Sequence, residues 1–68
     1  MIALISSDLR GAEYDSASAT LTIVFHDGSV YEYHTVPHSE YIGLPNAVSH
    51  GQYFHAHIKY RYQYRRVS

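Results

Sequence analysis

The chain contains no cysteine, and it has only two prolines and four glycines among its 68 residues. The absence of cysteine excludes disulfides and zinc sites built from thiolates. The short length excludes a TIM barrel, a complete Rossmann domain and any two-domain enzyme. What remains is a single small domain over residues 1–68, and its apolar fraction of 46% is typical of a folded protein rather than a disordered one.

Long hydrophobic runs are also absent. The opening segment Met1–Ile5 has only five consecutive apolar residues. A secretory signal needs about 7–15 such residues, and a membrane-spanning helix needs about 20. We therefore expect a cytoplasmic protein with no membrane partner.

The formal net charge of −1 hides a strong separation of charge along the chain. Residues 1–40 carry all six acidic side chains and a single arginine, which gives −5. Residues 41–68 carry no acid and four bases, which gives +4 from Lys59, Arg61, Arg65 and Arg66. Such asymmetry indicates an anionic partner for the basic end, unless the two halves neutralise each other in the fold or across an oligomer interface.

The hydrophobic periodicity predicts strands first and helices second. Strands are predicted over residues 9–14, 20–25 and 30–36. They are followed by a helix that Ser39 can cap and that is interrupted at Pro45, and by a second helix over 52–59. The alternation from Tyr60 predicts a further strand or an extended tail. In the first helix, Tyr41, Leu44 and Val48 recur at helical spacing. The predicted fold class is therefore α+β, a small antiparallel β-meander of about three strands packed by one or two short helices.

The register of the central hairpin follows from which side chains would be buried. A two-residue loop at Asp27-Gly28 would place Glu32 on the apolar face opposite Ile23, which is costly for an unpaired carboxylate. A three-residue loop with Gly28 in the left-handed conformation shifts the register by one residue and turns Tyr31 and Tyr33 inward instead. We therefore predict the second register, with both phenol hydroxyls reaching a polar partner or the rim of the sheet.

Motifs for catalysis are lacking. Six histidines are present, but no HExxH motif or acidic cluster accompanies them, and no GxSxG, GxGxxG or P-loop sequence occurs. The sequence thus predicts a protein that is not an enzyme and that holds no metal and no cofactor.

The C-terminal segment combines basic and aromatic side chains. Arginine and lysine bind phosphate, and tyrosine rings stack on bases at about 1–3 kcal/mol per base. This composition favours RNA or a nucleotide as partner, with phosphate contacts from Lys59, Arg61, Arg65 and Arg66 and, if their rings are exposed, stacking from Tyr60, Tyr62 and Tyr64. The alternative is that these aromatic rings complete a small core, or form the interface of a protein-interaction or self-assembling module.

Several residues along the chain form a family pattern. They are Ser6-Ser7, Tyr31-x-Tyr33 with Val36-Pro37, and Ser49-x-Gly51-x-Tyr53-Phe54. In this order they resemble the KTSC domain, a family named for the C-terminal extension of some lysyl-tRNA synthetases. The family also occurs as free-standing small proteins in bacteria and their phages.

The resemblance implies a compact α+β domain with no established activity, for which RNA binding has been suggested. Together with the charge pattern it leads to the expectation of a non-enzymatic accessory module that binds RNA or a nucleotide. A homo-oligomeric or protein-binding module without a nucleic-acid ligand is the alternative expectation.

Overall fold

One five-stranded antiparallel sheet and two short α-helices make up the computed structural model, which describes residues 1–68. The strands are β1 (Ile2–Ala3), β2 (Leu9–Asp15), β3 (Thr20–Phe25), β4 (Val30–Tyr33) and β5 (Tyr64–Arg66). Helix α1 spans His38–Asn46, helix α2 spans His50–Phe54, and a π-helical segment follows directly over His55–Lys59. The predicted α+β class is confirmed.

The sheet order is β1-β2-β3-β4-β5, so each strand pairs with its neighbours in sequence. The three predicted strands are the central ones, and β1 and β5 are additional short strands at the two edges. Strand β4 ends at Tyr33, three residues before the predicted end at Val36. The chain leaves the sheet there because Thr35 adopts a left-handed backbone conformation with φ of 58°.

The central hairpin has the predicted register. Tyr31 pairs with Ile23 and Tyr33 pairs with Leu21, so both tyrosines share the face of the β3 apolar residues. The loop is built as expected, since Gly28 adopts a φ of 91° and its amide donates to the Phe25 carbonyl.

The helices differ from the prediction at their ends. Pro37, not Ser39, is the N-cap residue of α1, and the helix ends at Asn46, directly after Pro45. Val48 was expected on the apolar helical face, but it lies beyond α1 and its side chain is fully exposed. Helix α2 begins two residues earlier than predicted, where the Ser49 hydroxyl accepts a hydrogen bond from the Gln52 amide.

The core lies between one face of the sheet and the helices. Its largest fully buried side chains come from both layers and are Leu9, Leu21, Ile23, Val36, Leu44 and Ile58. Phe54 joins the layers, because its ring packs edge-to-face against Phe25 and Tyr33. No helix has the length and apolar character needed to cross a bilayer.

Candidate functional site

An open groove of about 750 Å³ runs between the hairpin end of the sheet and the segment after α2. Its floor is aromatic and consists of Phe25, Tyr31, Tyr33 and Phe54, with Tyr64 from β5 beside them. The rim is polar and carries Lys59, two histidines and two aspartates. The groove therefore pairs an apolar, ring-lined base with charged edges, which is the usual composition of a small-molecule binding site.

The rings of the floor hold one another in place. Phe25 and Tyr31 meet edge-to-face with centroids 5.5 Å apart. Tyr64 lies 5.7 Å from both Tyr31 and Tyr33, because β5 pairs Tyr64 directly opposite Tyr33. A floor of interlocked rings is rigid, so little ordering entropy would be lost when a flat ligand packs on it.

The hydroxyl of Tyr33 is a polar group at the floor of the groove that has no partner in the chain. Its residue is only 3% exposed, and the hydroxyl makes no hydrogen bond to the protein. Burial, together with the neighbouring Tyr31 and Tyr64, raises the pKa of Tyr33 to about 12, so the phenol is neutral at physiological pH. Of the two predicted alternatives, a polar partner within the chain or the rim of the sheet, the first is not found, since neither the Tyr31 nor the Tyr33 hydroxyl donates or accepts within the chain.

Three of the seven predicted binding residues line the groove, namely Lys59, Tyr60 and Tyr64. The π-helical segment ends at Lys59, and its wide last turn carries Tyr60 to the rim with its side chain 81% exposed. The ammonium of Lys59 lies 5.3 Å from the centre of the Tyr60 ring. A positive charge and an exposed ring thus stand side by side at one edge of the aromatic floor.

The other four predicted residues lie outside the groove. Tyr62 is half-buried and packs against the core, which agrees with the alternative that this ring helps to complete the core and leaves less of it exposed for stacking. Arg61 lies in the turn before β5, and Arg65 points to the opposite face of the sheet, where its Nη2 is 3.2 Å from Glu32 Oε1. The alternation from Tyr60 fails because residues 60–62 form a turn, and the strand begins only at Tyr64.

Arg66 flanks the groove without lining it. Its guanidinium carbon lies 5.9 Å from the centre of the Tyr31 ring, since β5 places Arg66 opposite Tyr31. Its Nε donates to the carbonyl of Ser68 at 2.9 Å. The basic charge near the groove therefore comes from Lys59 on one element and Arg66 on another, while Arg61 and Arg65 contribute at longer range.

Two aspartates on the rim were absent from the predicted site. Asp27 accepts hydrogen bonds on Oδ1 from the hydroxyl and the amide of Ser29, and these bonds lower the pKa of the Asp27 carboxyl. The Asp8 carboxylate has no hydrogen-bond or ion-pair partner. The sequence did carry a signal for both, because Asp27-Gly28 marks the hairpin loop and Asp8 follows the Ser6-Ser7 pair.

Of the remaining family-pattern residues, Ser7 and Gly51 line the groove, while Ser6 and Tyr53 do not. The hydroxyl of Ser6 accepts hydrogen bonds from the amides of Asp8 and Leu9, which folds the chain into β2. Gly51 packs against this hydroxyl so closely that a Cβ there would lie 3.1 Å from Ser6 Oγ. Ser7 lines the groove directly.

No group of three or more histidine or carboxylate side chains is close enough to share a metal ion.

The fold and the groove define a small α+β domain of one sheet and a helical layer. The sequence profile of the KTSC domain matches residues 5–67, and the chain therefore belongs to the KTSC domain family. A crystal structure of a KTSC domain protein from Yersinia pestis superposes with a TM-score of 0.89 at 30% identity, covering 97% of this chain and 93% of that one.

Lysine–tRNA ligases also contain a matching region. The chain is 45% identical to the ligase of Trichormus variabilis over 62 residues and 42% identical to that of Nostoc sp. over the same length. Each match covers 91% of this chain but only 11% of the ligase. The shared segment is thus the small domain alone, and the ligase activity belongs to those longer proteins.

Proposed function

We propose that the chain is a non-enzymatic accessory module that binds single-stranded RNA or a nucleotide in the aromatic groove. The observation that carries the proposal is the combination of a ring-lined floor with Tyr60, Tyr64 and Lys59 at its edge. A base stacks on the exposed tyrosine rings, and its phosphate is attracted by the Lys59 ammonium. The presence of the same domain in lysine–tRNA ligases adds support, since those proteins act on an RNA.

Base stacking is the step that uses most of the groove. Tyr64 is 59% exposed and Tyr60 is 81% exposed, so both rings present a face to solvent beside the buried floor. An exposed ring gives a planar base a sequence-tolerant surface, because every base has a π-face. The Tyr33 hydroxyl, which has no partner in the chain, then meets a polar edge of the ligand.

The test is fluorescence anisotropy with a short labelled RNA, measured at several salt concentrations. Tyr64→Ala is expected to weaken binding by about 5- to 100-fold, while Tyr64→Phe keeps the ring and binds nearly as wild type. Lys59→Gln is expected to weaken binding and to reduce the slope of log affinity against log salt by about 0.7.

Arg61→Gln is the matched control for Lys59→Gln, because it removes the same charge two residues away and outside the groove. Its effect should be clearly smaller. Equal effects of the two substitutions would indicate a diffuse electrostatic surface, and an RNA affinity that never appears even at low salt would refute the proposal.

Self-association is the second candidate function. It is favoured by β5, a short edge strand whose outer side has no partner strand in the sheet. Pairing of two β5 edges would place Arg65 and Arg66 near their own copies, and like charges oppose that arrangement. Light scattering across a range of protein concentrations and salt tests it, since a dimer through this edge should strengthen with salt while RNA binding weakens.

A further inference from the structure

The aromatic groove continues into a second, polar concavity. This neighbouring space of about 560 Å³ shares four residues with the groove, which are Ser7, Asp8, Gly51 and His55. Its other lining residues are the polar Ser6, Ser49 and Gln52 and the apolar Ile5 and Ala56. One continuous surface therefore passes from interlocked rings to hydroxyl and amide groups.

Asp8 stands at the junction of the two parts. It lines both concavities, it is exposed, and its carboxylate has no hydrogen-bond or ion-pair partner. Its backbone is fixed, because its amide donates to Ser6 Oγ at 3.2 Å and its carbonyl accepts from the His26 amide at 2.9 Å. A free carboxylate is thus held at a defined place where the ring-lined floor ends.

The Tyr33 hydroxyl is a second polar group of the groove that has no partner in the chain. The residue Tyr33 is 97% enclosed, while its hydroxyl is accessible from the ring-lined part and makes no hydrogen bond to the chain. A phenol hydroxyl that is accessible from the groove and has no partner in the chain can donate to, or accept from, a polar edge of a ligand. The ring-lined part therefore suits the flat and polar-edged portion of that ligand.

A nucleotide matches this order of surfaces. Its base is joined directly to the ribose, so a base on the aromatic floor brings the sugar to the junction where Asp8 lies. We propose that the Asp8 carboxylate accepts a hydrogen bond from the ribose 2′-hydroxyl and so selects RNA over DNA, an inference that rests on the proposed function. A carboxylate is a strong acceptor for a hydroxyl donor, and the 2′-hydroxyl is the group that distinguishes the two polymers.

The charge of Asp8 makes this role distinguishable from general electrostatics. A carboxylate repels phosphates, so its removal should raise affinity for RNA and DNA alike if it contacts neither. The ratio of the two affinities cancels that common effect. Only loss of a contact to the 2′-hydroxyl lowers the ratio.

The experiment compares oligo(A) of the same length as RNA, DNA and 2′-O-methyl RNA by anisotropy. The wild-type chain is expected to prefer RNA by at least about tenfold, the usual effect of a hydrogen bond to a charged group. Asp8→Ala should bring the RNA and DNA affinities together, and Asp8→Asn should keep part of the preference because its amide oxygen still accepts. The 2′-O-methyl RNA should bind like DNA.

Asp27→Asn is the matched control. It removes one negative charge from the same groove, at a residue whose Oδ1 is held by Ser29. It should leave the RNA-to-DNA ratio unchanged. Equal binding of RNA and DNA by the wild type, or an unchanged ratio in Asp8→Ala, overturns the inference alone. Absence of binding to every polymer overturns the proposed function and the inference with it.

Discussion

The hydroxyl of Tyr53 on α2 donates a hydrogen bond of 2.5 Å to Oε1 of Glu40 on α1. The Tyr53 ring also stacks on His57 with ring centroids 4.2 Å apart, and His57 Nδ1 lies 3.9 Å from Glu40 Oε2. These contacts join α2 and the π-helical segment to α1, and none of the three residues lines the groove. The contribution of these contacts to the free energy of unfolding can be measured.

We expect Tyr53→Phe to lower the free energy of unfolding by about 1–3 kcal/mol, because the bond is made to a charged acceptor. Urea denaturation followed by circular dichroism measures the change. Tyr60→Phe is the matched control, since the Tyr60 side chain is exposed and its hydroxyl has no partner in the chain. Equal losses in the two variants would contradict a stabilising role for the Tyr53 bond.

Alkaline pH is expected to destabilise the fold through two phenols. Burial raises the pKa of both Tyr33 and Tyr53 to about 12, and at Tyr53 the hydrogen bond to Glu40 adds to the effect. The folded chain thus holds these protons more tightly than the unfolded chain, whose tyrosines titrate near 10. The stabilisation is complete below about pH 10 and is lost as the pH rises towards 12.

Denaturation at neutral pH and near pH 11 checks this dependence. Tyr33→Phe keeps the ring but removes the titrating group, so its stability should fall less steeply over that interval. A variant with both Tyr33→Phe and Tyr53→Phe provides the contrary outcome. If its free energy of unfolding falls with pH as steeply as that of the wild type, the two phenols are not the cause.

The Tyr53 ring packs so closely on Gly43 that only glycine fits at this position. A Cβ at this position would overlap the hydroxyl and the ring of Tyr53. We expect Gly43→Ala to destabilise the chain by about 1–3 kcal/mol through this overlap. In a Tyr53→Ala background the same change should become neutral or stabilising, because alanine is favoured over glycine in a helix by about 1 kcal/mol. A double-mutant cycle measures the reversal, and additive effects would contradict it.

His50 joins the N-terminal segment to the helices. Its Nδ1 accepts from the Ile5 amide at 2.9 Å, and its Nε2 lies 3.0 Å from the Pro45 carbonyl, so the ring is neutral with the proton on Nε2. His50→Ala should cost about 1–2 kcal/mol and speed hydrogen exchange at the Ile5 amide and in β1. His34→Ala, which removes a half-buried ring without such bonds, is the control. Unchanged exchange at Ile5 would refute the anchoring role.

The sequence was sufficient for the central sheet because burial decides its register. A charged Glu32 opposite Ile23 would be costly, and that single cost selects the three-residue loop that the structure contains. The edge strands β1 and β5 could not be predicted in the same way. Strand β1 spans two residues, too few for a period of two to be recognised, and the alternation that predicts an extended segment from Tyr60 starts four residues before β5 itself.

The candidate site was predicted only in part for a related reason. Alternation in the sequence treated Tyr60, Tyr62 and Tyr64 as equivalent, whereas a turn separates them and buries Tyr62 partly in the core. The π-helical segment that carries Lys59 and Tyr60 to the rim has no sequence signature of its own. Asp8, directly before β2, and Phe25, the last residue of β3, reach the groove through tertiary packing, which local periodicity does not encode.

The position of β5 in the sheet has a consequence for the order of folding. Strands β2, β3 and β4 are joined by short loops and form local contacts, whereas β5 pairs with β4 across about thirty intervening residues. Contacts of large sequence separation form late, since the entropy of closing the loop must first be overcome. The meander therefore assembles ahead of the groove, and a chain whose last strand has not docked lacks Tyr64 at the floor. Competence to bind would then arise only at the final step of folding.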